Sequence, residues 1–312
     1  MKKLLLLFGA LSLVSSVAYA KEVLPAVEEV VVVEEEVVPA TPTLTATNVG
    51  QYLEIDNTSG GDNIGEAVHL GNSVGLAYGD DWTFNILARK TWSMDTHKGT
   101  HSKSDRIDLD AWRNFDNFSL GFRFRTENTY DRYYLRGKYQ YGLFSGWADV
   151  AYQSNNGSAL ADHEDTYYVE TVPVSVALGP LNIGYYFQGD TLAVHTFDAT
   201  NPETAGFDHW YRQQIRFSTP VYQGENLNIG LEYRWQFDTD AKYDMRYRKE
   251  GYNEIDRNHI FVLSASYNVT ENLNVNGYYQ YEMRDWKRRG DNRPVHKDNY
   301  YGEFCIGWNY TF

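Results

Sequence analysis

Tyr300-Tyr-Gly-Glu-Phe-Cys-Ile-Gly-Trp-Asn-Tyr-Thr-Phe312, the closing stretch of the chain, alternates without a break. Phe304, Ile306, Trp308, Tyr310 and Phe312 are large and apolar, while Glu303, Cys305, Gly307, Asn309 and Thr311 between them are small or polar. Successive side chains of a strand point to opposite sides, so this pattern predicts a strand whose faces meet different surroundings. An ordinary soluble edge strand carries charge where this one ends in aromatics. The stretch predicts lipid on one face, water on the other, and a strand that closes a barrel. Phe312 is then the expected point of contact with the machinery that assembles such barrels.

The same unit recurs back along the chain. Alternating stretches at 43–56, 65–78, 81–94, 104–115, 117–127, 131–141, 144–154, 166–178, 181–190, 207–219, 225–238, 256–269, 272–285 and 298–312 predict about fourteen strands. The expected fold is all-β: a transmembrane, antiparallel up-and-down barrel over 43–312. Its breaks alternate in length. Gly79-Asp80, Asp116, Gly142-Leu143, Gly179-Pro180, Thr270-Glu271 and the stretch near Pro220 to Gly224 are short. Longer polar stretches near 57–64, 95–103, 128–130, 155–165, 191–206, 239–255 and 286–297 fall between them. Short turns on one rim and long loops on the other are usual for outer-membrane barrels, and a soluble sandwich has no reason to sort its connections.

Strand phase assigns the two faces. On 225–238, Leu227, Ile229, Leu231, Tyr233, Trp235 and Phe237 oppose Asn226, Asn228, Gly230, Glu232, Arg234 and Gln236. A charge on the lipid face near the middle of the bilayer costs roughly 2 to 4 kcal/mol, so the charged phase must face inward. This rule places Arg89, Arg123, Arg125, Arg132, Arg136, Lys138, Arg212, Arg216, Arg234 and Arg284 on the lining of a pore. Asp108, Asp110, Asp149, Glu232, Glu282 and Glu303 join them with the opposite sign. Such a wall sets up a transverse field that favours polar solutes, or its charges simply pair and solvate the wall; both require water inside. Inward aromatics (Trp112, Trp147, Tyr186, Trp210, Tyr278 and Tyr301) either pack the wall or offer rings on which sugars stack. Glu170 shares the phase of Val172, Val174 and Val176, which predicts a bulge or a position above the membrane, and 43–56 is ambiguous in phase.

Composition bounds the rest. Residues 1–20 read as a secretory signal peptide, with Lys2 and Lys3, an apolar run and Ala18-Tyr19-Ala20. Residues 21–42 are Val/Glu/Pro text between Pro25 and Pro39, expected to be an acidic periplasmic tether. The mean hydropathy of −0.55 hides a barrel, because alternating strands average out to polar. Aromatics make up 16% of residues with 26 Tyr, a preference suited to bilayer interfaces; a Tyr-rich soluble sandwich or lectin is the plainer reading. The net charge of −14 disfavours nucleic acid, and the one cysteine, Cys305, excludes an internal disulfide framework.

The chain resembles the monomeric fourteen-stranded porins of the OmpG type over roughly 43–312. The likeness runs from Asp256 through Tyr267-Asn268, Glu271-Asn272-Leu273, Tyr279-Gln280-Tyr281-Glu282 and Gly307-Trp308-Asn309-Tyr310-Thr311-Phe312. The Glu/Val/Pro stretch resembles instead the start of FomA-type major porins. The OmpG resemblance implies an outer-membrane pore for ions and small hydrophilic solutes, set in bilayer and lipopolysaccharide, and a monomer rather than a trimer. It also implies a loop between strands eleven and twelve that folds over the mouth. Here that is 239–255, carrying Asp240, Lys242, Asp244, Arg246, Arg248, Lys249, Glu250 and Glu254. The family's pH response uses a histidine pair on strands twelve and thirteen. This chain has His259 in an outward phase and no histidine on the thirteenth strand, so that response does not carry over.

An outer-membrane hydrolase needs a Ser-His pair or paired carboxylates with a histidine. Asp108 and Asp110 lie among the lining charges, and neighbouring Asp208 and His209 point to opposite faces. No enzyme, metal or cofactor is expected: His101 and His163 lack ligand spacing. An oligosaccharide-selective channel and an adhesin built on the loops are the remaining alternatives.

Overall fold

A computed structural model describes residues 42–58, 67–95, 99–155, 165–193, 207–243, 253–288 and 300–312. The expected signal peptide (1–20) and all but the last residue of the expected tether (21–42) lie outside the described residues. Fourteen strands form: β1 (Leu44–Asp56), β2 (Val68–Tyr78), β3 (Trp82–Asp95), β4 (Gly99–Asn114), β5 (Phe118–Glu127), β6 (Tyr130–Tyr141) and β7 (Phe144–Asn155). They continue with β8 (Thr166–Leu178), β9 (Leu181–Leu192), β10 (Phe207–Gln223), β11 (Leu227–Tyr243), β12 (Asn253–Asn268), β13 (Leu273–Arg288) and β14 (Tyr300–Thr311). Each pairs antiparallel with its neighbours in sequence, and β14 pairs with β1 from Asn48↔Thr311 to Asp56↔Glu303. The sheet is a closed ring, so no strand has a free edge.

The tight rim is built on glycine. Tyr141 pairs with Phe144 and Leu178 with Leu181, which leaves two-residue loops. Gly142 and Gly179 lead these loops with φ of 57° and 62°, a backbone that a side chain would strain.

Three expected breaks are shorter than the sequence suggests. β3 runs to Asp95 and β4 begins at Gly99, so most of 95–103 is strand. β10 continues through Pro220 to Gln223, with a register shift between Pro220 and Tyr222 that absorbs the missing amide donor. β11 reaches Tyr243 and β12 starts at Asn253, which places Asp240, Lys242 and Glu254 on strands instead of in a loop. Asp244, Arg246, Arg248, Lys249 and Glu250 lie outside the described residues. The physical reason is common to the two loop cases. Above the bilayer both faces of a strand meet water, so alternation fades while the hydrogen-bond ladder continues.

Two bulges settle the ambiguous phases. In β1, register shifts between Ala46 and Asn48, so Leu44 and Ala46 share the outer face with Val49, Gln51, Leu53 and Ile55. In β8, register slips between Thr171 and Val174, around Pro173. Glu170 and buried Val172 therefore face inward, while exposed Val174 faces outward.

The molecule is apolar outside and polar inside. Leu109, Leu120, Leu135, Val150, Leu231, Leu263, Ile306 and Trp308 are exposed, and Asp108, Asp110, Asp149, Gln214, Gln236, Asn258 and Glu282 are buried. Charged pairs at the rims bound the outer band. Lys90 meets Asp105 at 2.8 Å, exposed Arg257 pairs in register with exposed Asp285, and Arg113 lies over Trp82 and Phe115 near the tight turns. On β4 the outward residues between Asp105 and Arg113 are Ile107, Leu109 and Ala111. That interval is about 26 Å along the strand at about 3.3 Å per residue, or roughly 20 Å in height once the strand tilts by about 40°. The chain is a transmembrane antiparallel up-and-down barrel.

Candidate pore lining

Only the concave face of a barrel brings side chains two strands apart into contact, and such contacts identify the interior. Arg136 on β6 reaches over β5 to Asp110 on β4, with Nη1 to Oδ1 at 2.5 Å. Tyr278 on β13 reaches over β14 to donate to Glu54 Oε2 on β1 at 2.9 Å. The residues assigned inward from phase fall on this face: the arginines, Lys138 and the six carboxylates, together with Trp112, Trp147, Tyr186, Trp210, Tyr278 and Tyr301.

On β4 to β7 the charges form a ladder dictated by register. Asp108 lies opposite Arg125, Asp110 opposite Arg123, and Asp149 opposite Arg136. Asp108, 1% exposed, accepts from Arg125 Nε at 2.9 Å and from Arg106 Nε at 2.9 Å, with Arg106 Nη2 closing a second contact. Arg123 Nε donates to Asp110 Oδ1 at 2.8 Å, and Arg136 Nε to Asp149 Oδ1 at 2.9 Å. Arg89 Nη2 extends the ladder to Glu127 at 3.2 Å. Gly121 makes the bridge across β5 possible. It stands between Trp112 and Arg136 in register, and a Cβ there would meet the Trp112 ring at 2.6 Å. With that space clear, the Arg136 guanidinium lies 4.8 Å and Lys138 Nζ 4.3 Å from the centre of the indole.

The remaining wall is mixed. Arg234 Nη2 pairs with Glu232 at 2.9 Å and Nη1 bonds Gln280 at 3.1 Å; Arg284 Nε pairs with Glu282 at 2.8 Å. Arg132 donates to Gln153 Oε1 at 2.9 Å, Arg212 to Gln188 at 2.6 Å and Arg216 to Gln214 at 3.0 Å. Among the described residues, Arg132, Lys138, Arg212 and Arg216 have no carboxylate within ion-pair distance. Glu303 and Glu54 share the hydroxyl of Tyr278. Several inward rings are already covered by cations: Arg216 over Tyr186 at 3.5 Å, Arg284 over Tyr301 at 4.1 Å and Arg132 over Tyr168 at 4.3 Å.

Further inward charges join those assigned from phase. Arg106 carries the even phase of Asp108 and was legible. Glu54 and Asp56 are hidden by the bulge in β1, while Glu170, which accepts from Tyr186 at 3.0 Å, faces inward through the bulge in β8 to which its phase pointed. His259 faces outward, with Nδ1 2.8 Å from the Tyr233 hydroxyl.

Fourteen strands, an apolar belt and a charged concave wall define the class as a membrane β-barrel with a polar lumen. No protein-family model matches the chain, and no curated protein does. Among solved structures it is similar to OmpT (in-vitro folded), an outer membrane protein of Vibrio cholerae, at 11% identity and a TM-score of 0.44, covering 89% of this chain and 100% of that one. It is likewise similar to an anion-selective porin from Comamonas acidovorans (11% identity, TM-score 0.43, 87% of this chain and 100% of that chain). A third similar structure is the outer membrane channel DcaP of Acinetobacter baumannii (12% identity, TM-score 0.42, 88% and 99%).

Proposed function

We propose that this protein is an outer-membrane channel of the porin kind, through which ions and small hydrophilic solutes diffuse. The observation that carries the reading is the concave wall, whose charges are in part left unpaired. Among the described residues Arg132, Lys138, Arg212 and Arg216 face inward with no carboxylate within 4 Å, and charges without a counter-charge call for water. A dry, plugged interior would leave them orphaned. Asp108 and Asp110 are each held by two guanidiniums, so neither is poised as a general base, which argues against a hydrolase. Cation-covered rings argue against sugar stacking as the basis of selectivity.

The OmpG-type reading adds a monomer in bilayer and lipopolysaccharide, assembly through Phe312, and a lid between β11 and β12. That lid is the expected loop 239–255, of which 239–243 and 253–255 lie on β11 and β12 and 244–252 lies outside the described residues. The test is single-channel recording of detergent-folded protein in planar bilayers. Stable ohmic steps are expected, with brief closures that disappear when 244–252 is replaced by a short Gly/Ser turn. Electrically silent bilayers would remove the channel reading; steps whose closures survive the replacement would remove only the lid.

A further inference from the structure

We infer that the mouth of the barrel holds a binding site for a first-row transition dication of the zinc type, formed by Glu54, Asp56 and His69. Glu54 and His69 face each other in register on β1 and β2, and Asp56 lies two residues on along the same inward face. His69, buried at 8% exposure, aims Nε2 at both carboxylates, 3.3 Å from Asp56 Oδ2 and 3.8 Å from Glu54 Oε1. One donor atom from each of the three residues lies within 4.8 Å of the other two. Bonds of about 2.0 to 2.2 Å to zinc set donors roughly 3 to 4 Å apart, so small side-chain rotations complete the set.

The surroundings favour a metal in two independent ways. Thr91, opposite His69 on β3, places its Oγ1 2.8 Å from Nδ1, which fixes the ring with Nε2 toward the carboxylates. A hydrogen bond at the far imidazole nitrogen is the usual support for a metal-binding histidine. Charge gives the second argument. The carboxylates of the β4 to β7 ladder each meet an arginine, but among the described residues Glu54, Asp56 and the nearby Glu303 meet no lysine or arginine within 4 Å. Tyr278 donates to Glu54 and Glu303, which relieves hydrogen-bonding demand without supplying positive charge. A dication would neutralise this corner. The choice of metal follows from the donors: one imidazole and two carboxylates suit zinc and its neighbours, whereas calcium and magnesium prefer oxygen alone. β1 ends at Asp56 on the long-loop rim, so the site opens to the outside of the proposed channel.

The test is calorimetric titration of tag-free, chelator-stripped, detergent-folded protein with zinc chloride, then with calcium and magnesium chlorides. One zinc equivalent is expected, lost in His69→Ala and in the double variant Glu54→Gln/Asp56→Asn, and weakened about 10-fold or more in Thr91→Val. Zinc binding unchanged in His69→Ala would overturn the site by assigning the heat to other histidines. Equal binding of calcium would overturn it by reducing the site to carboxylate attraction. Circular dichroism and heat-modifiable gel migration check folding; where His69→Ala fails them, His69→Gln takes its place. A conductance readout rests on the channel proposed above. Micromolar zinc is expected to alter single-channel current in the parent protein and not in the histidine variant. Bilayers that stay silent while stoichiometric zinc binding persists would remove the channel and leave the metal site standing.

Discussion

Asp108 is held by two arginines of the wall. It sits between Arg106 and Arg125 with 1% of its surface exposed, and both guanidiniums are themselves largely enclosed. Removing one partner of an enclosed pair leaves the others uncompensated, which typically costs about 3 to 5 kcal/mol. Lumen water softens this, so Asp108→Asn is expected to lower stability in urea titrations of the folded barrel by about 2 to 3 kcal/mol. The same substitution leaves two unpaired cations in the wall. The zero-current potential in a potassium chloride gradient should therefore shift toward chloride. Asp110→Asn, with Arg123 and Arg136 as partners, is the matched control for generality.

At the level of strands, the two faces make opposite demands. Leu109 faces outward near the middle of β4, and Asn276 faces the lumen from β13. Leu109→Arg is expected to destabilise the barrel by about 2 to 4 kcal/mol in lipid vesicles, and Asn276→Arg by under about 1 kcal/mol. Equal losses would contradict the assignment of faces. Strand number, order and most boundaries were legible because period-two alternation persists wherever one face meets hydrocarbon and the other water. The pattern failed in two kinds of place. Beyond the membrane, at 99–103, 239–243 and 253–255, polar residues on both faces read as loop although these positions lie on strands. At Thr47 and near Pro173, an inserted residue reverses phase: it left Glu54 and Asp56 without an assigned face, while the phase Glu170 shares with Val172, Val174 and Val176 pointed to the bulge in β8. A bulge is a matter of pairing between strands, and the sequence of β1 carries no direct mark of the one at Thr47. Two of the three residues of the inferred metal site, Glu54 and Asp56, depend on the bulge in β1, which explains why the inward phase of most strands was legible and the dication corner was not.

Across the whole barrel, the charges are unevenly distributed around the ring. Arginines and Lys138 dominate β3 to β6, while Glu54, Asp56 and Glu303 gather at the β14–β1–β2 corner with no lysine or arginine of the described residues within 4 Å of their carboxylates. Opposed signs on separate arcs direct a field across the bore. Mobile ions screen it with a length of about 10 Å at 0.1 M and about 3 Å at 1 M. Ion preference measured from zero-current potentials should accordingly be greatest in dilute salt and fade toward molar concentrations. Selectivity independent of ionic strength would point to a narrow steric filter instead.

The joint between β14 and β1 has one more consequence. Phe312 donates its backbone amide to Thr47 at 3.0 Å, and the pairing above it matches the other joints in kind. A hoop stitched from equivalent seams has no preferred place to be cut. Moving the chain ends to Gly142 or Gly179, and tying the old ends together with a few flexible residues, should leave the cylinder's architecture unaltered.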